Sequence, residues 1–168
     1  MRQDLWCEDF ECNSGKVVVL QGDVAITSTL LISLALRLQS SGMVTFIDAA
    51  ATFNPVFVGQ YYHKPLICDM HKIMLARPLS AVEFRDLIIR IEQVLQKYKS
   101  KVLVISGFDR LFYKEELDKD DLHFMFASVI EEVLRVTKNL DVITIIGVSG
   151  IGSLGMVAGL RADVLVNV

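Results

Sequence analysis

The sequence predicts a single α/β domain: a mostly parallel, twisted sheet with helices on both faces. Three observations carry this. Short apolar, β-branched runs alternate along the chain with segments whose apolar residues recur at helical spacing. The runs are apolar throughout, as expected of strands buried on both faces. A length of 168 residues, 52% of them hydrophobic and 22% charged, fits one compact core that needs no disulfide or metal staple.

The elements follow in order. Lys16 to Leu20 is a β-branched strand ending at Gln21-Gly22, and Thr27 to Leu38 places Leu30, Leu31, Leu34, Ala35 and Leu38 at helical spacing behind Ser and Thr residues suited to capping. Gly42 closes that helix, and Met43 to Asp48 is a second strand. Ala49 to His63 reads as irregular, with Pro55, Gly59 and Tyr61-Tyr62. Leu66-Ile67-Cys68 and Ile73 to Ala76 are short apolar pieces, the second a strand stopped by Pro78. Ser80-x-x-Glu83 forms a capping box before a helix from Ala81 to about Tyr98, whose stripe is Val82, Leu87, Ile88, Ile91, Val94 and Leu95. Lys101 to Ser106 is a strand, and a charged connector from Lys114 to Asp121 leads into a helix from about Asp120 to Lys138. Val142 to Val148 and Ala162 to Val168 complete the strands, with residues 1–14 as an N-terminal arm and 15–168 as the domain.

Composition excludes several classes of function. Cys7, Cys12 and Cys68 are odd in number and scattered, which argues against a disulfide framework and fits a reducing compartment. No apolar run reaches the ~18 residues of a membrane span. Asp4, Glu8, Asp9 and Glu11 precede any apolar stretch, so no secretory leader is expected and a cytoplasmic location is. A net charge of -3 removes the simplest electrostatic case for nucleic-acid binding.

The junction between the first strand and first helix is where this architecture holds phosphate, because a helix N-terminus offers free N–H groups and the positive end of the dipole. The phosphate-loop pattern is G-x-x-x-x-G-K-[ST]. Here it reads Gly22-Asp23-Val24-Ala25-Ile26-Thr27-Ser28-Thr29, with the first Gly and the last Thr in place, Thr27 for the second Gly and Ser28 for the Lys. A serine hydroxyl does not replace the ammonium that neutralises phosphate charge, and Asp23 adds repulsion. Gly22, Thr27, Ser28 and Thr29 are the candidate cofactor-binding residues of a vestigial loop; ordinary N-capping is the plainer reading of its hydroxyls.

From Gly15 to Val168 the chain resembles the ATPase core of the RecA/RadA recombinase superfamily, a P-loop NTPase fold. The resemblance rests on Val17 to Leu38, on Phe46-Ile47-Asp48-Ala49-Ala50-Ala51-Thr52-Phe53-Asn54-Pro55, on Ile73-Met74-Leu75-Ala76-Arg77, and on Val102 to Phe112 with the last two strands. Family members carry an Ile-Asp-Thr-Glu-Gly-Thr-Phe-Arg-Pro-like stretch at the second of these. The resemblance implies a Glu that orients the attacking water where this chain has Ala50, a Walker B Asp where it has Ser106, and a Lys where it has Ser28. Charge clamp, metal partner and water activator are missing together, so loss of ATP hydrolysis is expected, with no catalytic residue, no metal and no cofactor. Asp109 is either a shifted acid for Mg²⁺ or a solvated loop or cap residue; Asp48 reads as a loop-starting Asp.

The resemblance implies two DNA-facing loops. The first, Tyr113 to Asp121, holds five acids against two lysines, and the second, Ser149 to Arg161, has Arg161 as its one base. Neither suits a phosphate backbone, so direct DNA binding is expected to be weak or absent. His63, His71 and His123 lie far apart with no ligand spacing. Tyr61-Tyr62 reads as a loop anchor. Leu5, Trp6 and Phe10 on the arm must be covered, by the domain itself or by a neighbour, and Phe124-Met125-Phe126-Ala127 matches the family's Phe-x-x-Ala assembly pattern but reads as helix core. The expectation is a non-catalytic recombinase paralogue in DNA recombination and repair, working through a recombinase-like or paralogue subunit and able to form a homo-oligomer. The alternatives are an ATPase with ATP and Mg²⁺ held by Asp109 and Thr29, or a scaffold or signalling subunit of a KaiC-like lineage.

Overall fold

The computed structural model describes residues 14–54, 70–114, 118–149, 158 and 161–168. The arm residues Leu5, Trp6 and Phe10, the Tyr61-Tyr62 pair, Leu66-Ile67-Cys68 and most of the loop between Ser149 and Arg161 lie outside the described residues.

The apolar runs become β1 (Val17–Gly22), β2 (Met43–Asp48), β3 (Ile73–Ala76), β4 (Ser100–Ser106), β5 (Ile143–Ser149) and β6 (Val164–Asn167). They form one sheet in the order β3-β2-β4-β5-β1-β6, and every pairing is parallel. Helices are α1 (Val24–Leu38), α2 (Ala81–Ile89), α3 (Ile91–Tyr98), α4 (Asp109–Tyr113) and α5 (Lys119–Leu140). Alternation along the strands splits the core in two. Val18, Leu20, Val44, Phe46, Val102, Val104 and Ile145 pack with Leu31 and Ala35 of α1 on one face. Val17, Val19, Ile47, Leu103, Ile105 and Ile146 pack with residues of α2 to α5 on the other.

Several boundaries differ from the sequence expectation, each for a physical reason. α1 begins at Val24, three residues before Thr27, because Asp23 supplies the N-cap. Its buried positions are Thr27, Ser28, Leu31 and Ala35, leaving Leu30 partly exposed. The helix expected from Ala81 to Tyr98 breaks at Arg90 (φ -99, ψ -1), giving α2 and α3. Its inward row is Ala81, Phe84, Ile88, Ile91 and Leu95, with Val82 on the outside. The capping box forms with a shift: Ser80 Oγ accepts from Glu83 N (3.1 Å), and the Glu83 carboxylate reaches back one residue further, to Leu79 N (2.8 Å). α4 has no counterpart in the sequence reading. Within Phe124-Met125-Phe126-Ala127, Phe126 is buried, but Phe124 is 78% exposed, so the core reading fails for that residue.

An aromatic stack fixes α4 beneath the sheet. Phe84 and Phe108 stack at 5.0 Å, Phe108 and Phe126 at 5.0 Å, and Phe112 meets Phe126 edge-on at 5.1 Å. Each such pair contributes about 0.5–1.5 kcal/mol beyond its buried area. Phe108 and Phe112 flank Asp109, so this packing carries the Asp109 carboxyl to the end of β5.

Candidate functional site: the carboxyl edge of the sheet

In open parallel sheets, ligands bind outside the carboxyl ends of the strands. Here those ends are Gly22, Asp48, Ala76, Ser106, Ser149 and Asn167.

At the end of β1 the chain turns into α1 through one residue, Asp23. Its carboxylate accepts from the N–H groups of Ala25 (2.9 Å) and Ile26 (3.2 Å), and its carbonyl accepts from Thr27 N (2.8 Å). Helix N–H groups that would face an anion are thus held by the chain's own acid. Gly22 is packed instead against the carbonyl of Val168; a Cβ there would collide with it. Thr27 is buried and its hydroxyl donates to Asp23 O (2.9 Å), while Thr29 is on the exposed side, donating to Ala25 O (2.7 Å).

Ser28, at the position of the motif lysine, is buried and shares a 3.1 Å hydrogen bond with the buried Ser106 at the end of β4. Two hydroxyls therefore satisfy each other where the resemblance implies a cation and an acid. Beside them, Gly107 has φ +60 and donates its N–H to Gly147 O (2.9 Å). A Cβ on Gly107 would lie 2.7 Å from the Cβ of Ala50, and Ala50 N donates to Ser106 O (3.1 Å). The place implied for a water-orienting Glu is a close contact between small residues.

Asp48 is fully buried. It accepts from Thr52 N (2.9 Å), Thr52 Oγ1 (3.2 Å), Phe53 N (2.9 Å) and, as an ion pair, from Arg77 Nη2 (2.8 Å) and Nε (3.2 Å). Arg77 also donates to Phe53 O (2.8 Å), so the loop-organising reading of Asp48 fits its surroundings. Arg77 was not singled out in the sequence as its partner; the parallel register Ile47↔Ala76 brings Asp48, the last residue of β2, beside Arg77, the residue that follows β3.

Asp109 is neither solvated nor a cap. It is buried in the first turn of α4, accepting from Ser149 N (3.0 Å) and Ser149 Oγ on one oxygen, with no hydrogen-bond partner for Oδ1 among the described residues. Burial pushes its carboxyl above the ordinary aspartate range, outweighing the opposite effect of the Ser149 bonds. Thr29 donates to Ala25 O, and Asp109 accepts from Ser149. Among the described residues no group of three or more His, Cys, Asp and Glu is placed to hold a metal ion.

An all-parallel six-stranded sheet with helices on both faces is an α/β fold consistent with the Rossmann- and P-loop-like class. No protein-family model matches the chain, and no curated protein matches it. Among the described residues no helix is long and apolar enough to cross a membrane.

Proposed function

We propose that this chain is a RecA/RadA-like paralogue without ATPase chemistry, acting in DNA recombination and repair in the cytoplasm through contacts with a recombinase-like or paralogue subunit. One observation carries the non-catalytic part of this reading: the Asp23 carboxylate sits on the first N–H groups of α1, where a phosphate would otherwise be received. Gly22, Thr27, Ser28 and Thr29 are in this reading the remains of a phosphate loop, with Ser28 and Ser106 bonded to each other instead of to nucleotide and metal. The recombination role rests on the sequence resemblance, and the shortage of basic residues in the two loops favours protein over DNA as the contact.

Hydrolysis and thermal shift test it together. With excess Mg-ATP the melting midpoint stays unchanged, and no phosphate is released above blank with or without single-stranded DNA. A Mg²⁺-dependent rate, or a saturable rise in midpoint, overturns the non-catalytic reading. Pull-down from native extract tests the other half: a recombinase partner supports it, and recovery without one overturns it.

A further inference from the structure

We infer that the amino edge of the sheet, where Lys97, Lys99, Lys101 and Lys138 stand, is the docking surface for the chain's own acidic N-terminal arm, residues 4–11, bound within the same molecule. This stands apart from the recombination reading and holds or fails without it.

The chain enters the domain at this edge. Ser14 Oγ donates to Asp141 O (2.6 Å) and Gly15 N to Val142 O (3.0 Å), which fixes the root of the arm between the end of α5 and the start of β5. At about 3.3 Å per residue, an extended arm reaches about 10 Å from Ser14 at Glu11 and about 33 Å at Asp4. Strands of a sheet lie about 4.8 Å apart, so the start of β4, next to β5, is well within that reach.

The edge is basic. Lys97 is in the last turn of α3 and Lys99 caps it, Lys101 is in the first turn of chain of β4, and Lys138 is in the last turn of α5. These lysines are exposed, and none has an ion pair among the described residues. Glu92 and Glu132, further along α3 and α5, are each held by Arg135 at 2.7 Å. The edge's own acids are Asp163, which accepts from Val17 N (2.8 Å), and Asp141, whose carboxylate lies over Gly15.

Helix C-termini favour cations without any partner, which accounts for Lys97 and Lys138. It does not account for the other two, which sit on irregular backbone. Lys99 has φ +52, a conformation usually given to glycine or asparagine at a helix end. Lys101 is the extra residue of a bulge, since Met43 pairs with Ser100 and Val44 with Val102. Three lysines within five residues repel one another and call for a negative cover.

Residues 4–11, Asp-Leu-Trp-Cys-Glu-Asp-Phe-Glu, supply four acids and no base. They also bring Leu5, Trp6 and Phe10, and Tyr98, 40% exposed between Lys97 and Lys99, offers them an aromatic face. A short tether holds the arm at the edge at about millimolar effective concentration, which favours docking within one molecule over docking on a second.

Trp6 is the one tryptophan of the chain, so its fluorescence reports on the arm alone. At low salt its emission is expected to lie to the blue of free tryptophan, with raised anisotropy, equally at nanomolar and micromolar protein. At 1 M salt, where the screening length is about 3 Å, the signal moves towards the free value. K99E/K101E and E8K/D9K each lower the docking equilibrium about tenfold, and the variant carrying all four changes recovers at least about threefold over either pair. Lys99 and Lys101 are exposed, unchanged urea midpoints verify the fold, and the salt titration of the parent needs no variant. A Trp6 signal of a free residue at low salt, or one indifferent to K99E/K101E, overturns the inference. A blue shift that appears only as protein concentration rises places the arm on a second copy and overturns docking within the molecule. Single-stranded DNA that binds these lysines without displacing Trp6 makes a nucleic acid the occupant, which also overturns it.

Discussion

Removing the Asp48 carboxylate is expected to cost far more than removing its cationic partner, and the difference follows from who is left unpaired. In Asp48→Ala the part-buried N–H of Thr52 and the buried N–H of Phe53 lose their acceptor. Each orphaned donor costs about 1–3 kcal/mol. The Arg77 side chain, 40% exposed, turns to water and adds little. The sum is about 2–6 kcal/mol, with about 3–4 kcal/mol expected because Thr52 N is only part-buried and Phe53 N is buried. That is a large share of the roughly 5–15 kcal/mol that typically holds a domain together. In Arg77→Ala the carboxylate keeps Thr52 N, Thr52 Oγ1 and Phe53 N, and because the Arg77 side chain is 40% exposed its removal opens the carboxylate and Phe53 O to water, which holds the loss to about 1–2 kcal/mol. Urea unfolding measures both, read as a shift in midpoint at constant slope. For a chain of this size the gap corresponds to a difference in Tm of roughly 4–8 °C between the variants. Phe53 adds a structural marker, since its ring packs on Phe46 at 5.2 Å and is released with the loop. An Arg77→Ala loss equal to or larger than that of Asp48→Ala would refute the reasoning, as would an Asp48→Ala loss below about 1 kcal/mol.

Three further outcomes are expected. Ser28→Ala and Ser106→Ala each lose about 1–2 kcal/mol by stranding a buried hydroxyl, and the double variant loses about 1 kcal/mol less than their sum; strict additivity in a urea double-mutant cycle denies the bond. Asp23→Ala loses about 1 kcal/mol and Asp23→Asn only a few tenths, as for a helix cap, measured the same way; equal losses would mean that charge, not capping, is what Asp23 supplies. Asp109 is harder to ionise in the folded chain than in the unfolded one, so its contribution to stability is most favourable at low pH, falls as pH rises from the ordinary aspartate value to the raised one, and is level above it. Subtracting the pH profile of Asp109→Asn isolates this slope, and a difference curve that is flat or rises with pH contradicts the assignment.

Most of the sheet was legible because its strands are bounded by punctuation the chain carries locally. Met43–Asp48 follows Gly42, Ile73–Ala76 precedes Pro78, and both have the bounds read from sequence. The helix starts and breaks were less legible. The hydroxyls of Thr27, Ser28 and Thr29 resemble caps, yet Thr27 and Ser28 point inward and Asp23, the residue that caps, is a single aspartate that the loop pattern absorbed. The break at Arg90 has no glycine or proline to mark it, and the spacing Phe84, Ile88, Ile91, Leu95 runs straight through. α4, at five residues, is too short for periodicity to reveal. At the candidate site, Asp48 and Asp109 could be singled out by their place after strands, but their partners Arg77 and Ser149 are 29 and 40 residues away and become neighbours through strand order alone.

That dependence on strand order also bears on what holds the small neutral residues at the carboxyl edge in place. A lysine at Ser28 would bring an ammonium into a buried position whose neighbour, Ser106, offers a hydroxyl, and an unpaired buried charge is among the costliest substitutions. A glutamate at Ala50 would extend from a Cβ that lies where a side chain on Gly107 would be, 2.7 Å from the position of a Gly107 Cβ. The small neutral residues at the edge therefore support one another: each is tolerated because its neighbours are also small and uncharged. Changing one towards the phosphate-loop pattern meets a penalty that the others impose, and Asp23 would still hold the N–H groups of α1. In the proposed reading, the loss of chemistry is thus a property of the packed edge as a unit, retained by its stability, and what remains available for interaction lies on the outer surfaces of the fold.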